Sequence, residues 1–307
     1  MDWVRKYRLG PLIGFVILFI VLSILSSQFL TFDNLRNVAL QTTVNALLSV
    51  GMTFVILTSG IDLSVGSTLA LSSAIAAQLM VSHVNVALAC IVGVVIGGLA
   101  GALNGLLVSY GNLAPFIVTL GTQQLFRGLT EVYTQGMPIY NLPTSFTDFG
   151  TGTVLGIPIP VILAAIMFIA GWIVLRKTVI GRKIYALGGN LKVAHLAGIK
   201  VKRYLVWVYV ACGVLAALGG LVLTARLGSA ESTAGTGYEL NAITAVVLGG
   251  TSLLGGEGSV IGTLIGALIL GVIDDGLNLL NVNSFWQDAV TGLIILIAIL
   301  LDRKKSR

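Results

Sequence analysis

Apolar runs of about 20 residues, separated by short polar or glycine-rich breaks, recur along the whole chain. An α-helix crosses the hydrocarbon core of a bilayer in about 20 residues, and backbone polar groups in lipid must be satisfied within the segment. The pattern predicts spans near 11–29, 43–60, 64–82, 86–108, 114–135, 158–176, 204–225, 240–254, 258–280 and 285–302. The expected fold is therefore an all-α integral membrane protein of about ten transmembrane helices, forming one membrane domain over 1–307.

Composition agrees with this pattern. The chain is 56% hydrophobic and only 10% charged, where soluble domains carry about 25% charged residues. A water-soluble fold has no surface for so much apolar side chain. The net charge of +6 does not indicate nucleic acid, because the basic residues sit at the ends of apolar runs and form no continuous face. Cys90 and Cys212 each fall inside an apolar span, which argues against a structural disulfide. Arg5, Lys6 and Arg8 ahead of the run 11–25 resemble a secretory leader. The run lacks a small-residue cleavage site and continues toward Phe29, so a retained first helix is expected.

The charges also orient the spans. With both termini cytoplasmic, fifteen of the 18 Lys and Arg residues face the cytoplasm: three before the first span, eight in the loop 176–203, and Arg303, Lys304, Lys305 and Arg307. Only Arg36, Arg127 and Arg226 fall elsewhere. The loop 136–157 has no Lys or Arg and carries Asp148, as an exterior loop should. Nine or eleven spans would divide the basic clusters between the two faces. The expected location is the inner (plasma) membrane, as a multi-pass protein.

Two segments echo each other. At an offset of 196 residues Asn45 falls on Asn241, Gly66 on Gly262 and Ser67 on Thr263. Each contains a polar, glycine-bearing break, 58–64 and 249–259. Two readings fit. Paired interrupted segments line a transport cavity in many carriers; alternatively, these are tight cytoplasmic turns in which Asp62, Ser64 or Ser259 cap helices.

The basic loop has its own internal pattern. Gly188-Gly189-Asn190 reads as a turn with Asn190 as N-cap, and 190–197 as a short helix stopped at Gly198. Leu191, Val193, Ala194, Leu196 and Ala197 make that helix mostly apolar. It needs either a groove on a partner protein or the anionic inner leaflet, with Lys192, Lys200, Lys202 and Arg203 meeting headgroups.

The segments Ile56-Leu-Thr-Ser-Gly-Ile-Asp-Leu-Ser-Val-Gly-Ser67, 181–199 and Gly235-Thr-Gly-Tyr-Glu-Leu-Asn-Ala onward to Leu280 resemble the permease subunits of ribose-type ABC sugar importers. The similarity runs over about residues 30–305. It implies a homodimer of permeases, two cytoplasmic ATPase domains holding ATP and Mg, and a periplasmic or tethered sugar-binding protein. It also implies that 189–199 is the coupling helix, with Gly189, Asn190, Leu191, Val193, Ala194, His195, Leu196 and Gly198 meeting the ATPase. Family members carry an acidic residue after the Asn of Gly-Gly-Asn, where this chain has Leu191.

Other chemistry finds little support. No Walker A sequence is present, and Gly255-Gly-Glu-Gly-Ser-Val-Ile-Gly lacks the Lys-Ser/Thr of a P-loop. Nucleotide hydrolysis is therefore expected on another chain, with no cofactor, metal or catalytic residue on this one. His83 and His195 lie too far apart in the topology to share a metal. Arg127 and Glu131 have the i, i+4 spacing of a helix pair; alternatively Arg36, Arg127 and Arg226 contact the binding protein. Asp274, Asp275, Asn278 and Asp288 are costly in lipid and should face protein or water. A sugar pathway should be weakly polar, which selects Asn45, Thr58, Ser59, Asp62, Asn241, Thr244 and Thr251; the same residues would also serve as interhelical hydrogen bonds. The competing function is an autonomous secondary sugar carrier or channel. It would need coupling-ion residues at the midplane and no docking helix.

Overall fold

The computed structural model describes residues 10–283 and, beyond them, 285, 286, 289, 290, 292–294 and 296. Both basic termini, Asp288 and most of the last expected span lie outside the described residues. In chain order the helices are α1 Gly10–Leu25, α2 Phe32–Leu57, α3 Val65–Val81, α4 Val86–Ser109, α5 Pro115–Thr134 and α6 Thr144–Thr151. A two-stranded antiparallel hairpin follows, β1 Thr153–Val154 with β2 Ile157–Pro158. Then come α7 Ile159–Lys177, α8 Val179–Gly189, α9 Leu191–Leu196, α10 Val201–Leu227, α11 Tyr238–Leu248 and α12 Val260–Leu279.

Five helices, α2, α4, α7, α10 and α12, are long and apolar enough to cross a bilayer. Helices α1, α3 and α11 are apolar but shorter, and α5 carries Gln123, Gln124, Arg127 and Glu131 within 20 residues. Each of the first nine expected spans contains a helix, with two adjustments. The helix expected at 43–60 begins at Phe32, capped by Thr31, and ends at Leu57. The span expected at 240–254 is a helix only from Tyr238 to Leu248, about 16 Å at roughly 1.5 Å per residue and so about half a bilayer. It ends because Gly249 and Gly250, the latter at φ +83°, turn the chain out of the helical ladder.

Helix α4 shows how a membrane helix reads its surroundings. Leu88, Ile91, Val95, Leu99, Leu103 and Leu106 are exposed along one side and form the lipid face. Gly93, Gly97, Gly101 and Gly105 recur every fourth residue on the other side. There the backbone meets Gly213, Tyr209 and Val206 of α10 so closely that a Cβ at Gly97, Gly101 or Gly105 would collide with it. Lipid removes most of the hydrophobic drive for helix association, and close backbone approach at small residues takes its place. Helix α10 packs mainly on α4, α2 and α3. Helix α2 is buried almost without break from Thr42 to Leu57, the mark of a central helix.

Helix directions follow from these contacts. Leu57, Ser109, Pro115, Val201 and Val260 mark helix ends on the side of the basic loop. Helix α3 does not start at that level. Its first turn packs through Gly66 against Gly235 in the loop before α11.

Candidate functional site

The basic loop holds two helices. Residues 179–189 form α8, including Gly188 and Gly189, which the sequence suggested as a turn; Thr178 caps α8 by accepting from the Gly181 amide at 3.3 Å. The chain turns at Asn190, whose Oδ1 accepts from the amides of Lys192 at 3.0 Å and Val193 at 3.1 Å. Helix α9 is one and a half turns long and is followed by Gly198 at φ +79°, a left-handed geometry that suits glycine. Leu191, Val193 and Leu196 are exposed, Leu196 at 85%, whereas Ala194 is buried at 3%. The helix thus turns Ala194 inward and presents three apolar side chains outward.

The same face gathers both polar breaks. Gly256 N–H donates to the Leu57 carbonyl at 3.0 Å, Ser59 Oγ donates to the Leu254 carbonyl at 2.7 Å, and Tyr185 Oη donates to the Gly258 carbonyl at 2.9 Å. Residues 57–59 and 249–258 are therefore turns resting on α8. Residues 60–64 behave differently, running from that face back into the bundle. Asp62, 1% exposed, accepts at Oδ1 from the Ser64 amide at 2.9 Å and the Ser64 hydroxyl at 2.7 Å. Asn104 Nδ2 donates to Ser64 Oγ at 2.7 Å, and Thr122 Oγ1 donates to Asn104 Oδ1 at 2.7 Å. This polar knot joins α3, α4 and α5 where α3 begins. The reading of the breaks as tight turns therefore describes 57–59 and 249–258, whereas 60–64 runs into the bundle.

Two cavities flank this arrangement. The larger, about 1420 Å³, lies between the first break, the α4–α5 turn and the α9–α10 segment. It is lined by Thr58, Ser59, Leu191, His195, Leu196 and Gly198, with Lys200, Lys202 and Arg203 also on its wall. Lys202 lies 5.0 Å over the Tyr110 ring, a cation–π contact that ties α10 to the α4–α5 turn. The smaller, about 310 Å³, lies among α2, α10, α11 and α12. Asn45 and Asn241, the pair related by the 196-residue offset, both line it, together with Gln41, Arg226, Tyr238 and Asp274.

The remaining expected residues are spread out. Thr244 and Thr251 are buried behind the cavity walls, Thr244 donating to the Leu240 carbonyl at 2.7 Å. Arg127 Nη1 donates to the Ser232 carbonyl, tethering the 228–237 loop to α5. Gln123 Nε2 donates to Glu239 Oε1 at 3.0 Å one turn below. Arg226 Nη1 donates to the Leu40 carbonyl at 3.0 Å, and Arg36 is half-buried with its Nε unpartnered. Asp275 is buried and accepts from Asn34 Nδ2 at 2.8 Å, which gives one costly carboxylate a protein partner. Asn104, Thr122, Gln123 and Glu239 were not singled out from the sequence; the signal available was a polar side chain amid an apolar helix. Among the described residues no group of three or more His, Cys, Asp and Glu is placed to hold a metal.

Interrupted apolar helices whose breaks meet beside the basic loop, a cavity next to that junction and an exposed apolar helix on the same loop define a polytopic membrane transport component. Residues 34–299 match the family described as the permease component of branched-chain amino acid transport systems, and the chain belongs to that family. It is 55% identical over 301 residues to the ribose import permease protein of Bacillus subtilis (strain 168), covering 97% of this chain and 94% of that one. It is 50% identical over 311 residues to the ribose import permease protein of Escherichia coli (strain K12), covering 99% and 95%. It is 44% identical over 298 residues to the D-allose transport system permease protein of the same strain, covering 95% and 91%. No solved structure matches the chain.

Proposed function

We propose that the chain is the transmembrane permease subunit of an ATP-driven ABC importer that passes a pentose, ribose, from a periplasmic binding protein into the cytoplasm. The 55% identity to a ribose import permease across nearly the full length of both chains carries this reading. In it, residues 1–307 form one membrane domain of ten spans in the inner membrane, both termini are cytoplasmic, and two copies pair. ATP and Mg belong to the ATPase partners, and this chain contributes no catalytic group.

Helix α9 is the coupling helix in this reading. The exposed apolar set Leu191, Val193 and Leu196 supports a seat in an apolar cleft of the ATPase, since a helix of this composition leaves its outer face uncovered. With Leu191 in place of the family's acidic residue, that contact is apolar rather than charge-assisted. Gly189, Asn190, His195 and Gly198 shape and flank it, and buried Ala194 anchors it to the bundle. Asn45, Asn241, Thr58 and Ser59 border the sugar route at the two cavities, with Asp62, Thr244 and Thr251 supporting its walls. Arg36, Arg127 and Arg226 are assigned to the face that receives the binding protein, Arg226 standing at the outer end of α10.

Reconstitution in proteoliposomes tests the reading. Uptake of radiolabelled ribose is measured with the binding protein outside and ATP inside, with and without the ATPase subunits. Uptake only in the complete system is the expected result. Uptake by this chain alone would identify a secondary carrier or channel.

A further inference from the structure

We infer that the 310 Å³ cavity among α2, α10, α11 and α12 is a monosaccharide-binding site within the membrane, in which Arg226, Asp274, Tyr238 and Gln41 recognise the sugar together with Asn45 and Asn241. The identity of the sugar rests on the proposed importer function. The chemical class of ligand, a neutral polyhydroxy molecule, rests on the cavity itself.

Position comes first. Asn241 stands seven residues before the inner end of α11 and Asp274 fourteen after the inner end of α12, about 10 and 21 Å along the helices at roughly 1.5 Å per residue. Arg226, the penultimate residue of α10, closes the cavity from the other end, so it runs from within a hydrocarbon core about 30 Å thick toward the outer ends of the helices. Six polar side chains converge on its wall, and ionisable groups inside a membrane bundle mark substrate pathways.

The lining then selects among ligands. It holds one fixed cation, Arg226, and one carboxylate, Asp274, so it offers no net charge to an inorganic ion of either sign. Two carboxamides and a glutamine surround them, each offering a donor and an acceptor. Sugar hydroxyls also donate and accept, and so match this mixture, whereas an apolar or singly charged ligand leaves most of it unsatisfied. The Tyr238 ring adds a flat apolar face for the C–H side of a sugar ring. The volume lies at the small end of the roughly 300–1,000 Å³ that ligand pockets span, suiting a monosaccharide.

A separate observation points to a missing hydrogen-bond partner. The Oδ1 of Asn45 is buried with no hydrogen bond. Buried polar atoms are normally satisfied, and an orphan calls for an unseen donor. A sugar hydroxyl supplies one. Arg226 is already oriented for the task by its hydrogen bond to the Leu40 carbonyl, and Thr42 and Gly271 lie side by side on the wall.

Transport kinetics of the complete system read this site directly. Asp274→Asn and Asn241→Ala are each expected to raise the KM for ribose at least fivefold and to change the uptake ratio of ribose to 2-deoxyribose. An unchanged ratio together with a wild-type KM in both variants overturns the proposal. In a Cys90→Ala, Cys212→Ala background, Gln41→Cys provides a readout that tolerates weak transport. Alkylation by a small maleimide should slow at least threefold when a panel of monosaccharides is present, and an unchanged rate with every sugar also overturns the proposal. If wild type imports no ribose yet Gln41→Cys is protected by another sugar, the site stands and the ribose assignment fails.

Discussion

Gly256 donates its amide hydrogen to the carbonyl of Leu57 across 3.0 Å, joining the turn before α12 to the last residue of α2. The Leu57 carbonyl is one of those a helix end leaves unsatisfied, and the partner comes from the other half of the internal echo. Gly188 of α8 packs directly on both residues. Gly188 therefore contacts both interrupted segments at once. In an importer driven from the cytoplasmic loop, this junction is where motion of the coupling helix reaches the two polar breaks.

Leu196→Asp places a carboxylate on the most exposed apolar position of α9. The expected outcome is normal membrane insertion with weakened ATPase association. A hot-spot loss of about 2 kcal/mol corresponds to roughly 30-fold in affinity. Co-purification of the ATPase with tagged permease measures it. Ala194→Asp is expected to fail differently, by disrupting the loop itself, because Ala194 is buried.

Gly101→Leu forces a side chain into the α4–α10 contact, where the Tyr209 backbone already occupies the space. Overpacking of this kind costs about 1–3 kcal/mol and more when backbone must move. Thermal unfolding of the detergent-solubilised protein should show a clearly lowered Tm. Gly98→Ala, next to a site where only a Val214 methyl lies within reach, should leave Tm nearly unchanged.

Asp62→Ala removes the acceptor for the Ser64 amide and hydroxyl. Each buried donor left without a partner costs about 1–3 kcal/mol. The variant should lose stability and transport together. Asp62→Asn retains an acceptor oxygen and should recover most of the stability, as measured by the same thermal assay.

Sidedness is checked with two single cysteines. Leu155→Cys, in the hairpin of the loop 136–157 and 98% exposed, should react with a membrane-impermeant maleimide in intact cells. Leu196→Cys should react only after the membrane is opened. Labelling of Leu196→Cys but not Leu155→Cys in intact cells would reverse the orientation derived from the positive charges.

Some of this organisation was plain in the residue order. Asn190 as cap, the short apolar helix and Gly198 as its stop follow from local chemistry, and the structure places α9 at Leu191–Leu196. The four glycines of α4 are visible as a repeat, yet nothing local names α10 as the helix they receive. Asp62 was grouped with the pathway residues because polarity at depth implies a polar surrounding. That surrounding is the Ser64–Asn104–Thr122 knot, formed by three successive helices only once they pack side by side. The offset between Asn45 and Asn241 was visible as an echo, but only packing brings both onto one cavity.

What the sequence determined by itself is what depends on local transfer free energy: a chain built for lipid, the positions of its apolar helices, the charge-marked loop and the capped helix within it. Tertiary structure decided which side of each wall a polar residue occupies, which of two turns reaches back into the bundle, and which distant side chains share a cavity. The physical reason is that hydrophobic length acts along a segment. Hydrogen-bond satisfaction and close backbone packing act between segments, and their partners exist only once the helices are assembled.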